Sequence, residues 1–212
     1  MTVKVWSNVQ IAVQSAIAGT KTITGITKAN PGVCTSTSHG YANGDYITLT
    51  ISGMWQLDQV VARVANVTTN TFELEGIDTT SYDTFTSGTA QLLTLGTTLS
   101  SISDINVSGG DFDMVDVTTI HDNVKKTIPG SASPVEISLT ANWDPSDAGL
   151  TALKSASDAR AQRAIRFTFS DGAKWVFNGY IGCTLSPTGQ AQGKVSTPLK
   201  ITAYGKPRAY TS

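Results

Sequence analysis

Between Pro134 and Trp143 the chain reads PVEISLTANW, with an apolar residue at every second position. Val135, Ile137, Leu139 and Ala141 alternate with Glu136, Ser138, Thr140 and Asn142. Successive side chains of a strand point to opposite faces, so this period of two predicts a β-strand with one buried and one wet face. Related patterns fill most of the 212 residues, in TTLSSISDINVSG, IRFTFSDGAKWVFNGYIG and KVSTPLKITAYG. They commit the chain to a mainly β fold.

Four segments are expected. Residues 1–19 form an N-terminal strand or arm. Residues 20–91 contain short alternating runs such as DYITLTISG and NTFELEGID, separated by Asn30-Pro31-Gly32, Asn43-Gly44 and Thr69-Asn70. That spacing predicts a small antiparallel β-barrel, with Tyr46, Thr48 and Thr50 on one face of a strand and Ile47, Leu49 and Ile51 on the other. Trp55, Tyr82 and Phe85 are read as buried aromatics. Residues 92–207 are expected to form a β-sandwich with one flanking α-helix, and residues 208–212 a C-terminal tail. In that second half, Asp171-Gly172 predicts a two-residue hairpin with positive φ at both central positions. The helix is expected to follow Asp144 as cap and Pro145 in its first turn, with Ala148, Leu150, Ala152, Leu153, Ala156 and Ala159 as apolar surface and Arg160 and Arg163 near its end.

Composition narrows function mainly by exclusion. A formal net charge of −1 does not fit a general nucleic-acid binder. Cys34 and Cys183 lie far apart without CxxC spacing and are expected to be buried free thiols. The N-terminal sequence lacks the pattern of a signal peptide, no apolar run reaches membrane-span length, and the Asn66 and Asn106 sequons read as chance. His39 and His121 are not in metal-ligand spacing, and Asp111, Asp113 and Asp116 lack the glycine and terminal glutamate of a calcium loop. No nucleophile elbow or phosphate loop occurs, and His121 and Asp122, adjacent on a strand, would point apart. No catalytic site, metal or cofactor is predicted.

Charge is concentrated instead in DFDMVDVTTIHDNVKKTIPG, residues 111–130. Asp104, Asp111, Asp113, Asp116 and Asp122 form an acidic group, and Lys154, Arg160, Arg163, Arg166 and Lys174 a basic one. Either the two groups pair within one chain, or the acidic patch of one subunit meets the basic patch of the next in a ring.

The order TTLSSISDINVSGGDFDMVDVTT, a charged loop closing at TIPG, VEISLTANWDPSDAGLTAL, RFTFSDGAKWVFNGYIGCTLSP and LKITAYGKP resembles the tail tube proteins of long-tailed, siphovirus-type bacteriophages over about residues 92–207. Residues 20–91 are similar to small β-barrel modules of phage structural proteins named after a domain of ubiquitin-activating enzymes. The resemblance implies hexameric rings stacked into a hollow virion tail tube, assembled in the host cytoplasm, through which genomic DNA passes without specific binding. It also implies partners among other tail proteins, namely the tape measure, the terminator and the tail tip or baseplate. His121, Asp122, Asn123, Val124, Lys125 and Lys126 then become an inter-subunit loop. Glu136, Ser138, Thr140 and Asn142 become a candidate lumen lining, and the added barrel is expected outside the tube. A tail terminator, a baseplate hub, a secretion-tube ring protein and a carbohydrate-binding module are the alternatives.

Overall fold

The computed structural model describes residues 6–211; residues 1–5 of the expected arm and residue 212 of the expected tail lie outside them. The fold is mainly β with one α-helix. The main sheet contains β1 (Gln10–Val13), β9 (Thr97–Leu99), β10 (Ile102–Ser108), β13 (Glu136–Asn142), β14 (Gln162–Thr168), β15 (Lys174–Cys183) and β16 (Ser196–Tyr210). Their order is β10-β13-β16-β15-β14-β1-β9, antiparallel throughout. The outermost strands, β9 and β10, are consecutive in the chain, with only Ser100 and Ser101 between them. The sheet must therefore curl until its edges come within the reach of two residues. It wraps a core of Ile11, Val13, Ile137, Leu139, Phe167, Phe177, Ile181, Leu199 and Ile201. Burying one such side chain contributes about 1.5–3 kcal/mol.

The alternation around β13 is realised. Ile137, Leu139 and Ala141 are buried, whereas Ser138 and Asn142 are exposed and Glu136 and Thr140 half-buried on the opposite face. At the β14–β15 hairpin the expected two-residue turn is not formed. The Gly172 amide donates to the Phe169 carbonyl at 2.9 Å and the Phe169 amide to the Ala173 carbonyl at 2.8 Å, with Gly172 at φ 85°. This is a three-residue loop with a glycine bulge, which needs the left-handed conformation only where glycine supplies it.

The α-helix, α1 (Ala148–Asp158), also begins later than expected. Asp147 is its cap, accepting from the Gly149 amide at 2.7 Å and the Leu150 amide at 3.0 Å, while Asp144 bonds the Ser146 amide and hydroxyl in the preceding turn. Leu150, Leu153 and Ala156 are buried against the main core, whereas Ala148 and Ala159 are exposed. The helix closes with Arg160 at φ 50°, where the Arg160 amide bonds the Ser157 carbonyl and the Ala161 amide the Ala156 carbonyl. That pair of bonds is the usual glycine-type helix terminus, here made by arginine. Arg163 lies beyond it on β14.

Between β1 and β9 the chain builds a second lobe from β2 (Ala16–Ile23), β3 (Gly25–Ile26), β4 (Val33–Thr35), β5 (Tyr46–Ser52), β6 (Val61–Ala65), β7 (Thr71–Leu74) and β8 (Ser87–Thr94). The order is β2-β8-β5-β6-β7-β4-β3. In place of a closed small barrel, this sheet is curled and partly open. β2 and β3 form its two ends, Thr24 alone separates them, and no ladder joins them. The two-residue β3 and three-residue β4 are too short to complete a regular wall. β1 pairs with β9, and Ala16 of β2 pairs with Thr94 of β8, so the lobe grows from the end of the β1–β9 ribbon.

Ile47, Leu49 and Ile51 face the lobe core with Cys34, Leu57, Phe72 and Leu74, as their alternation predicts. His39 is buried against the Tyr41 and Phe72 rings, its Nδ1 accepting from the Tyr41 amide at 3.1 Å. Tyr82 and Phe85 pack partly buried against this core, but Trp55, on a short 3-10 turn, is 69% exposed and so departs from the core reading. Cys34 and Cys183 are free and buried, as expected.

Asp147→Ala should lower stability by about 1 kcal/mol, because two helix amides lose their acceptor. Asp144→Ala, which leaves every helix amide its acceptor, should cost clearly less. Thermal melting of the two variants tests the position of the cap; equal losses would contradict it. Burial pushes the Cys34 thiol up to about 12 and, helped by the Asp45 charge, the Tyr41 phenol up to about 12. The folded chain therefore holds these protons more tightly than the unfolded chain. Their stabilisation is intact below about pH 9 and is lost as pH rises toward 12. Denaturant midpoints should fall over that window, and the fall should be shallower in Cys34→Ala.

Candidate assembly surfaces

At the opposite edge of the main sheet the β10–β13 hairpin also continues past the sheet. Gly109 and Gly110 adopt φ 83° and 87°, and a Cβ on Gly109 would lie 2.2 Å from the Pro134 carbonyl oxygen. This glycine pair redirects the strands into a two-stranded ribbon, β11 (Phe112–Asp116) and β12 (Thr127–Ala132), which forms a sheet of its own. Val115 opposes Ile128, and Met114 opposes Pro129. Opposed residues of an antiparallel pair share a face, so both faces of the ribbon carry apolar side chains. Phe112, Met114, Val115, Val117 and Ile128 are exposed, and at the tip Ile120 and Val124 are 97% and 73% exposed.

Charge organises the tip rather than projecting from it. The Thr118 hydroxyl and amide hold the Asp116 carboxyl below the usual carboxylate range, with Lys125 assisting at 3.3 Å. Lys126 depresses the Asp122 carboxyl, helped by the Thr119 amide and hydroxyl. His121 and Asn123 are exposed beside them. Solvent screens pairs of this kind, so they bias a loop without burying its apolar residues. The charges of the loop, with Val124 among them, are legible in the sequence; Phe112, Met114, Val115 and Ile120 are not singled out by it. The pattern D-F-D-M-V-D-V carried the signal, since apolar residues fall on both parities of the strand.

Asp111 and Asp113 lie exposed at the base and on the first strand of the ribbon. The arginines assigned to the basic patch are not equivalent. Arg160 is exposed at the helix end and Arg163 half-buried on β14, whereas the Arg166 guanidinium lies 5.5 Å over the Tyr46 ring, between the main sheet and the lobe. Among the described residues no Asp–Arg ion pair joins the acidic group to these three arginines, whereas Asp116 and Asp122 pair with lysines of their own loop.

Glu136, Ser138, Thr140 and Asn142 share a face with their β16 partners Thr202, Lys200, Pro198 and Ser196. Lys200 and Glu136 pair at 2.9 Å, which offsets the cation on this surface. The lobe docks on the same face at the other end of β15 and β16, where Tyr46, Val61 and Leu93 meet Ala164, Val176 and Tyr210. It is displaced from the Glu136 end by roughly 25 Å along β16, at about 3.3 Å per residue.

Among the described residues no group of three or more His, Cys, Asp or Glu could hold a metal ion, and no helix is long and apolar enough to cross a membrane.

The chain is matched over residues 52–212 by a protein-family model, that of the phage tail tube protein, TTP. The chain belongs to that family. It is a structural protein of a bacteriophage tail, not an enzyme. The match begins inside the lobe, well before residue 92, and takes in β6, β7 and β8. The lobe thus shares the family's sequence in its second half, and nothing links it to the module named after ubiquitin-activating enzymes. No curated protein matches the chain.

Proposed function

We propose that this tail tube family member is the major tube subunit. It self-assembles into hexameric rings, which stack into the hollow tube through which genomic DNA passes from virion to host. Other tail proteins, namely the tape measure, the terminator and the tail tip or baseplate, set where assembly starts and stops. One observation carries the reading: the 112–132 ribbon exposes apolar side chains on both faces and finds no cover among the described residues of its own subunit. Contiguous exposed apolar surface of this sort marks a protein–protein contact. Stacked copies offer many identical sites, so weak single contacts sum to a stable polymer.

Glu136, Ser138, Thr140 and Asn142 line the lumen in this reading. Phosphates bind exposed cations, so a passing duplex requires a wall whose charges are acidic, neutral or internally paired. The Lys200–Glu136 pair supports that assignment. The lobe, offset along the strands, then occupies the rim of each ring and not its outer wall. The 16–94 lobe and the remaining main-sheet residues are treated as two domains. The acidic residues Asp111, Asp113 and Asp116 of one subunit approach Arg160 and Arg163 of the next, with Arg166 retained inside its own chain.

Deleting residues 120–127 should leave a folded monomer with the parent's circular dichroism that does not polymerise in sedimentation velocity. Normal polymers from that deletion would overturn the role of the ribbon. Arg163→Glu should reduce ring formation with less than about 0.5 kcal/mol change in monomer stability. Undiminished rings would remove the charge-patch component alone. Single closed rings that never stack would favour the terminator or hub reading.

A further inference from the structure

The lobe is joined to the main sheet by two covalent crossings that lie side by side. Gln14-Ser15 and Leu95-Gly96 connect the β1–β9 pair to the β2–β8 pair, and Ser15 donates its amide to the Thr94 carbonyl at 2.8 Å. Two adjacent strands make a ribbon, which bends more easily than a packed layer. Among the described residues, what else fixes the lobe is contact across one seam in which side chains take part.

That seam is narrow and polar. Its buried apolar contribution is Tyr46, Val61, Leu93, Ala164, Val176 and Tyr210, far fewer residues than either lobe's own core. Cavities of about 350 Å³ and 320 Å³ flank it, the first beside Trp55, Tyr82 and Tyr204 and the second beside Gly44, Leu95 and Arg166. Arginine–tyrosine contacts supply much of the rest. Arg166 lies over Tyr46, Arg63 lies 4.8 Å over Tyr210, and an Arg208 Nη donates to the Tyr82 hydroxyl at 3.3 Å. The Nε atoms of Arg166 and Arg208 are buried without a hydrogen-bond partner in the protein, so closure leaves polar groups imperfectly satisfied.

The last residues of β16 close the seam. The Tyr210 ring is buried, and its hydroxyl accepts from the Arg63 amide at 3.0 Å. Arg63, itself paired with Glu75, also donates to the Thr211 carbonyl at 3.2 Å. Three contacts thus hold the lobe's β6 to the end of a main-sheet strand. The main sheet does not depend on them: Ile201, Leu199 and Ala203, earlier in β16, supply its core.

We propose that the C-terminal end of β16, centred on Tyr210 and Arg63, is a releasable latch, and that the lobe swings about the Gln14-Ser15/Leu95-Gly96 ribbon when it opens. Each lobe keeps its own core during that motion, because the buried apolar residues of the seam belong to neither. The device requires nothing from ring assembly and is testable on the isolated subunit.

The chain's two native thiols are suitable internal controls, since Cys34 sits in the lobe core and Cys183 in the main core. A third thiol at the seam, introduced by Val176→Cys, reports opening. Modification by a small disulfide reagent, resolved by mass spectrometry, is followed with and without Tyr210→Ala. The latch predicts that Tyr210→Ala accelerates modification at position 176 by tenfold or more while Cys34 and Cys183 change by less than twofold. Acceleration of all three, or of positions 176 and 34 together, would overturn the proposal by showing that the lobe unfolds instead of swinging. No acceleration at 176 would overturn it by showing that Tyr210 does not hold the seam. Should Tyr210→Ala not fold, Arg63→Met, read in the same way, replaces it.

Discussion

The pairing of β16 with both β13 and β15 holds the rest of the molecule in place. β16 spans fifteen residues, longer than any neighbour, and its two halves serve different purposes. Residues 196–202 pair with β13 and bring Glu136, Ser138, Thr140 and Asn142 into one wet surface. Residues 208–210 continue past the end of β13, pair with the start of β15, and place Tyr210 beneath the lobe. Between them, Gly205 at φ 75° lets the strand bulge, so that the register moves from Asn178–Tyr204 to Val176–Arg208. A bulge of this type bends and twists a strand. Without that spine neither the wet face nor the seat of the lobe would exist.

Around the spine the fold uses one device at both edges of the main sheet. An edge hairpin runs on past the sheet and becomes something else. At the β10–β13 edge it becomes the bare ribbon, redirected by Gly109 and Gly110; at the β1–β9 edge it becomes the inserted lobe. Exposed sheet edges invite pairing with other chains, which most monomeric proteins suppress. A tail tube family protein works by contact between copies, and a projecting ribbon rich in exposed valine, isoleucine and methionine is consistent with that use.

How much of this was legible in the sequence depended on whether a feature was local. The alternation of Ile137, Leu139 and Ala141 fixes one face of β13 whatever lies next to it, and so did that of Ile47, Leu49 and Ile51 in the lobe. The helix is legible in the sequence, but its cap lies three residues later than the pattern predicts. Asp144 and Asp147 are equally good cap residues, and only the packing of Leu150 and Leu153 decides between them. The Asp-Gly turn was recognised and its length was not, because a glycine bulge and a two-residue turn share that dipeptide. Trp55 departs from its expected burial because an indole in a short apolar run is usually buried, whereas here it stands on an exposed turn. The insertion of the lobe between β1 and β9 could not be read at all: which strands pair across some 80 residues of chain is a property of the whole sheet. The candidate assembly loop was located by its charges, while its exposed apolar side chains, the part able to drive association, became visible only once the ribbon was seen to lack a neighbour.

The most direct test of the account is electron microscopy of the purified subunit over a concentration series with no other tail protein present, extended to a reconstruction of whatever polymer forms. Hollow tubes of stacked rings are expected, with the 112–132 ribbon crossing from one subunit to another and the Glu136–Asn142 face turned to the lumen. Tubes in which the ribbon stays solvent-exposed, or in which that face is buried between subunits, would contradict it.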